Sequence, residues 1–238
     1  MSKTRPIPLA LTTLIAFFSA LAALAVSNGM DMAQAHGNTP QPTQMQMQMS
    51  MTVHSSALSA KAAALRTDLR KLWEDHITWT RLAIISLVAG TPDTDATVAR
   101  LLQNQTDIGD AVKRFYGRAA GEQLTGLLRE HILIAADVIA AAKAGDRTKL
   151  ANAQARWTKN ADEVAALLHR VNPRHWKLAT VKAEMRMHLK LTTEEAVAHL
   201  KGDWVADVAA YDKVHRHILH MSDLLTNGLV AQFPRRFR

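Results

Sequence analysis

The chain has 238 residues, 48% of them hydrophobic and 5% aromatic, a formal charge of +8 and no cysteine. That length fits one domain with a sizeable core, and a chain rich in alanine and leucine but poor in aromatics favours helix over sheet. The absence of cysteine excludes disulfide staples, thiolate metal sites and cysteine nucleophiles, so packing alone must hold the fold.

The N-terminus reads as a secretory signal over residues 1–35. Lys3 and Arg5 form a basic start, Leu9 to Val26 is an apolar stretch, and Ala33-Gln34-Ala35 is a small-residue cleavage site. Two alternatives are an uncleaved membrane anchor, since the apolar stretch approaches spanning length, and an earlier cut after Ala25. Export places the protein in the periplasm. Removing residues 1–35 deletes Lys3, Arg5 and Asp31, so the formal charge falls from +8 to +7. A basic protein outside the cytoplasm is not expected to meet nucleic acid; anionic envelope surfaces are the expected charged contacts.

Residues 36–54 form a low-complexity arm of Gly, Pro, Thr, Gln and Met without helical period. Cleavage after Ala35 leaves His36 first, where its imidazole and the terminal amine would chelate copper(II). Met45, Met47, Met49 and Met51 alternate with Gln and Ser, and thioethers favour copper(I). His54 follows them. The tract resembles Met-rich segments of periplasmic copper-handling proteins, which implies copper or silver binding; a plain spacer is the alternative.

Residues 55–238 read as an all-α domain, a six-helix bundle made of three tandem helical hairpins. Apolar periodicity predicts helices at about 56–89, 94–115, 120–144, 147–171, 176–201 and 204–228. Breaks fall at Gly90-Thr91-Pro92-Asp93, Gly117, Gly145-Asp146, Asn172-Pro173, Gly202-Asp203 and Asn227-Gly228. Gly90, Gly145 and Gly202 suit the left-handed residue that ends a helix. Asp93 and Asp146 are expected N-caps.

Three copies of one hairpin follow each other. His76, His131 and His188 each precede a turn glycine (Gly90, Gly145, Gly202) by fourteen residues. On the return helix, Asn104, Asn160 and His217 lie fourteen or fifteen residues beyond the same glycines, and Asp107, Glu163 and His220 come three later. Positions equally far from an antiparallel turn share one height, about 21 Å from it. His76 is therefore expected opposite Asn104, His131 opposite Asn160 and His188 opposite His217, and packing about a common axis would bring the layer together.

Three readings of this layer stay open. A polar network can fix helix register; imidazoles with amide and carboxylate partners can hold copper, zinc, iron or nickel; and a His/Asp set can do acid–base chemistry, given an open cleft. The third copy differs, carrying His188, His217, His220 and then Asp223, and is the most nitrogen-rich. Glu195 and His199 share the His188 face nearer the turn and are assigned a separate role or solvation. No Glu-x-x-His pair, H-E-x-x-H, nucleophile elbow or phosphate loop occurs.

The stretches Leu72-Trp73-Glu74-Asp75-His76-Ile77-Thr78-Trp79-Thr80-Arg81 and Arg100-Leu101-Leu102-Gln103-Asn104-Gln105-Thr106-Asp107 resemble an uncharacterised family of exported bacterial helical-bundle proteins. The likeness runs from about residue 60 to Phe233-Pro234. It implies a helical fold and brings no catalytic residues. The end, Phe233-Pro234-Arg235-Arg236-Phe237-Arg238, reads as a frayed tail, with contact to an anionic surface as the alternative. The expected function is metal binding, most of all copper storage, delivery or resistance. An envelope scaffold and an acid–base enzyme are the alternatives.

Overall fold

The computed structural model describes residues 59–238. The leader and the arm, with His36, Met45, Met47, Met49, Met51 and His54, lie outside the described residues.

Six helices follow in order: α1 (Ala60–Ala89), α2 (Thr94–Tyr116), α3 (Arg118–Ala144), α4 (Arg147–Val171), α5 (Leu178–Lys201) and α6 (Trp204–Gln232), then a 3-10 turn, Pro234–Phe237. The fold is the all-α bundle expected, and five of its connections fall at the expected breaks. Gly90, Gly145 and Gly202 end α1, α3 and α5 with φ of 69°, 70° and 71°, a region open to glycine because a Cβ would clash with the carbonyl. Asp146 caps α4 through the amide of Lys149, and Asp203, not expected as a cap, caps α6 through Ala206. Asp93 gives no such bond; its carboxylate takes the Thr91 and Ser86 hydroxyls instead.

Two expectations near the end fail. Asn227-Gly228 does not break α6, which runs on to Gln232. Gly228 is there for closeness, since a Cβ on it would stand 2.0 Å from Trp176 Nε1. Its carbonyl also takes the buried Asn172 amide at 3.0 Å. The tail does not fray: Phe233 and Phe237 pack on Phe115, and Arg236 bonds the Arg114 carbonyl at 2.9 Å.

Sequential helices pack on one another and α6 returns to α1, closing a ring. The inner stripes meet in a main core that includes Trp73, Ile77, Leu128, Trp157, Val164, Trp176, Val214 and Ile218, with a smaller cluster of Ala83, Leu101 and Ile132 nearer the glycine turns. His76, His131 and His188 interrupt that core at mid-height. A cavity of about 50 Å³, lined by Ala83, Ile84, Leu101, Ile139, Trp157 and Thr192, lies between them and the glycine turns. One of about 30 Å³, among Leu69, Trp73, Leu128, Trp176, Met185 and Leu225, lies on the other side. Among the described residues no helix is long and apolar enough to cross a membrane.

Candidate functional site

The equal-height expectation holds. His188 sits at the centre, with ring centroids of His76, His131 and His217 at 5.7, 6.2 and 6.3 Å from its own. One device repeats in all three hairpins. Asn104 donates its amide to the Leu72 carbonyl at 3.0 Å, Asn160 donates to Leu127 at 3.0 Å, and His217 Nε2 donates to Glu184 at 3.1 Å. Leu72, Leu127 and Glu184 each stand four residues before the repeat histidine. Each return helix is thus clamped to the turn of helix that carries its histidine.

The second copy uses up the ring nitrogens of its histidine, while the first leaves Gln105 Oε1 buried without a partner. Trp157 donates its ring N–H to His131 Nε2 at 3.1 Å, so the ring hydrogen sits on Nδ1 and is donated to Asn160 Oδ1 at 2.8 Å. Both nitrogens of His131 are therefore taken. Gln105 presents its amide to His76 Nδ1 at 3.3 Å while also bonding the Leu101 carbonyl at 2.7 Å. Gln105, next to the expected Asn104, is the direct partner of His76. His188 Nδ1 is buried without a partner.

Burial keeps these rings neutral. It pushes His76 down to about 3, with His131 adding to the effect and Gln105 opposing it. It pushes His131 down to about 4 against the Asn160 bond. His188 lies well below its ordinary value through burial and then through its three imidazole neighbours. The rings are 3%, 3% and 4% exposed, so the layer has none of the open cleft an acid–base enzyme would need there.

The outer candidates are not drawn inward. Asp107 accepts from Gln103, Glu163 pairs with Lys159 at 2.7 Å, and Asp223 is held by Arg70 at 2.6 Å and Arg66 at 3.2 Å. His220 is mostly exposed.

The third copy opens at its outer edge. Glu184, on α5, puts one carboxylate oxygen 3.6 Å from His217 Nδ1 and the other 3.7 Å from His220 Nε2, both on α6. His217 gives its Nε2 hydrogen to a carbonyl, and burial holds its pKa below the ordinary value. Its Nδ1 therefore faces a carboxylate oxygen, a geometry that a ring proton or a bound cation between them satisfies. Among the described residues no group of three His, Asp or Glu stands at ligating geometry. Sequence reasoning missed Glu184, though aligning the repeats would have shown a charge where Leu72 and Leu127 stand.

A second polar cluster lies nearer the turns. Arg81 on α1 bonds Glu195 at 2.8 Å and Asp207 at 2.9 and 3.1 Å, and Asp207 also takes His199 Nδ1 at 2.9 Å. Glu195 is fully buried, with one oxygen unpartnered. Burial pushes it up to about 7 against the pull of Arg81. Burial also raises Asp207, but Arg81 and His199 more than reverse this and leave it below the usual carboxylate value. Glu195 and Asp207 replace apolar or neutral residues of the other copies: Ala83 and Val138 stand seven residues after their histidines, as Glu195 does.

The chain is thus an all-α protein of three hairpins around a buried imidazole layer. No family model, curated protein or solved structure matches it.

Proposed function

We propose that this is an exported metal-binding protein, with copper the favoured ion. In this reading the third hairpin binds it at the outer edge of the layer. The observation that carries the reading is the Glu184 carboxylate facing two imidazoles, one with its Nδ1 turned towards it. Donors about 2.1 Å from a shared ion at a tetrahedral angle stand roughly 3.4 Å apart. The 3.6 and 3.7 Å separations run to opposite oxygens of the carboxylate, so the three share one ion only after a side chain turns, for which exposed His220 has room. Imidazole with carboxylate suits copper(II), zinc or nickel, while the thioethers of Met45, Met47, Met49 and Met51 suit copper(I). The two would serve one metal in two oxidation states, which fits handling of copper in the periplasm.

Titration of the processed chain, residues 36–238, with copper(II), zinc(II) and copper(I) tests this. Glu184→Gln and His220→Ala should each weaken copper(II) or zinc(II) binding by at least about tenfold, and replacing the four methionines by leucine should weaken copper(I) alone. Unchanged affinity in all three variants sinks the reading.

A second reading, favoured by the three side-chain-to-carbonyl clamps, makes the buried layer a register device in an envelope scaffold. It predicts that His76, His131 and His188 substitutions change stability and no ligand affinity. The readings are compatible if His76 and His131 frame the bundle while His217 and His220 bind.

A further inference from the structure

The up-and-down topology sorts charge between the two ends of the bundle. The start of α1, the α2–α3 and α4–α5 connections and the 3-10 turn meet at one pole. Aromatic contacts join them: Tyr116 meets Trp176 and Phe233 edge-on, while Phe115 lies tilted against Phe233 and stacked on Phe237. Arg114, Arg118, Arg174, Arg235, Arg236 and Arg238 are all exposed there. Arg118 pairs with Glu122 at 3.7 Å; the others have no acidic partner among the described residues. The opposite pole is close to balanced. Asp93, Asp95, Asp146 and Asp203 there stand against Lys143, Arg147, Lys149 and Lys201.

The arrangement of the basic pole is held, not floppy. Arg236 lies over the Phe115 and Phe233 rings at 5.4 and 5.1 Å while bonding the Arg114 carbonyl. That fixes the 3-10 turn and points Arg235 and Arg238 outward, with Phe237 half-buried between them. The bases come from separate connections and spread over the blunt end of a six-helix ring. None of the six arginines lines the open cavity at this end, of about 620 Å³ among Arg66, His175, His220 and Asp223, and the aromatics beside them stack on one another. A strand of nucleic acid wants a groove with free aromatic faces; exposed bases spread over one end of the bundle, with half-buried Phe237 among them, match a plane of anionic headgroups.

We infer that this pole is a docking surface for an anionic phospholipid bilayer, approached end-on. The site is separate from the proposed metal site and stands or falls independently. Sedimentation of the processed chain, residues 36–238, with vesicles tests it, using neutral phosphatidylcholine alone or mixed with anionic phosphatidylglycerol, at low and high salt. The expected result is salt-sensitive binding that needs the anionic lipid. A charge at such a surface changes partitioning about fivefold, so Arg118→Glu/Arg174→Glu/Arg235→Glu should weaken it at least a hundredfold. A control triple at the other pole, Arg147→Glu/Lys149→Glu/Lys201→Glu, makes the same change in net charge and should cost far less. Equal losses from both triples mean attraction by net charge alone and overturn the inference. So does equal binding to neutral vesicles, or salt-sensitive binding to a soluble polyanion such as heparin or RNA but not to the vesicles. Helical circular dichroism of both triples confirms that they fold.

Discussion

Acid should loosen this bundle well before its surface carboxylates are protonated. His76, His131 and His188 are buried and neutral, with pKa values pushed to about 3, about 4 and well below ordinary. In the unfolded chain each would titrate near 6.5. Below that pH the unfolded state binds protons that the folded state refuses, so stability falls with pH at about 1.4 kcal/mol per pH unit per ring. At pH 5 this is about 2 kcal/mol each. Glu195 works the other way. Its carboxyl, raised to about 7 in the fold, binds a proton that the unfolded chain does not yet hold, and offsets roughly one histidine. The net loss between pH 6.5 and 5 is about 4 kcal/mol, a large part of the ~5–15 kcal/mol typical of a domain. Urea unfolding followed by tryptophan fluorescence across that range measures it. His188→Met, which removes the ring with the unpartnered nitrogen, should reduce the slope by about 1.4 kcal/mol per pH unit. Stability that is flat across the range, or the same slope in the variant, refutes the reasoning.

Other outcomes follow from single contacts. Trp157→Phe strands the His131 Nε2 lone pair and should cost about 1–3 kcal/mol in urea unfolding. Arg81→Met leaves Asp207 and Glu195 buried without their cation and should cost about 3–5 kcal/mol. Glu195→Gln in that background should recover part of the loss, because it removes a buried carboxyl that Arg81 no longer offsets. Gly228→Ala forces Trp176 aside and should lower stability by at least about 1–3 kcal/mol, seen as a drop in Tm.

The helices were legible because each obeys a local rule. Apolar spacing marks the inner stripe, and a glycine with positive φ ends α1, α3 and α5. The layer was legible because an antiparallel hairpin converts distance from the turn into height. His131 with Asn160, and His188 with His217, follow from counting alone. Counting heights does not say which way a side chain turns. Asn104 spends its amide on a backbone carbonyl and leaves His76 to Gln105. Asp107, Glu163 and Asp223 turn outward to Gln103, Lys159 and two arginines. Gly228 looked like a break because a lone glycine can serve a turn or a close contact, and only the approach of Trp176 tells them apart.

The sequence by itself determined the all-α class, the three hairpins and the level at which their histidines meet, since these depend on periodicity and distance along the chain. Tertiary structure decided which of those polar groups are used up in the core and which stay free at its edge. It also decided that Glu184 joins His217 and His220, that Arg81 is held by Glu195 and Asp207, and that the arginines of separate connections share one pole. Glu184 meets the two histidines across its own hairpin, but Arg81 lies more than a hundred residues from Glu195 and Asp207, and what brings them together is the closing of α6 onto α1, which no local pattern records.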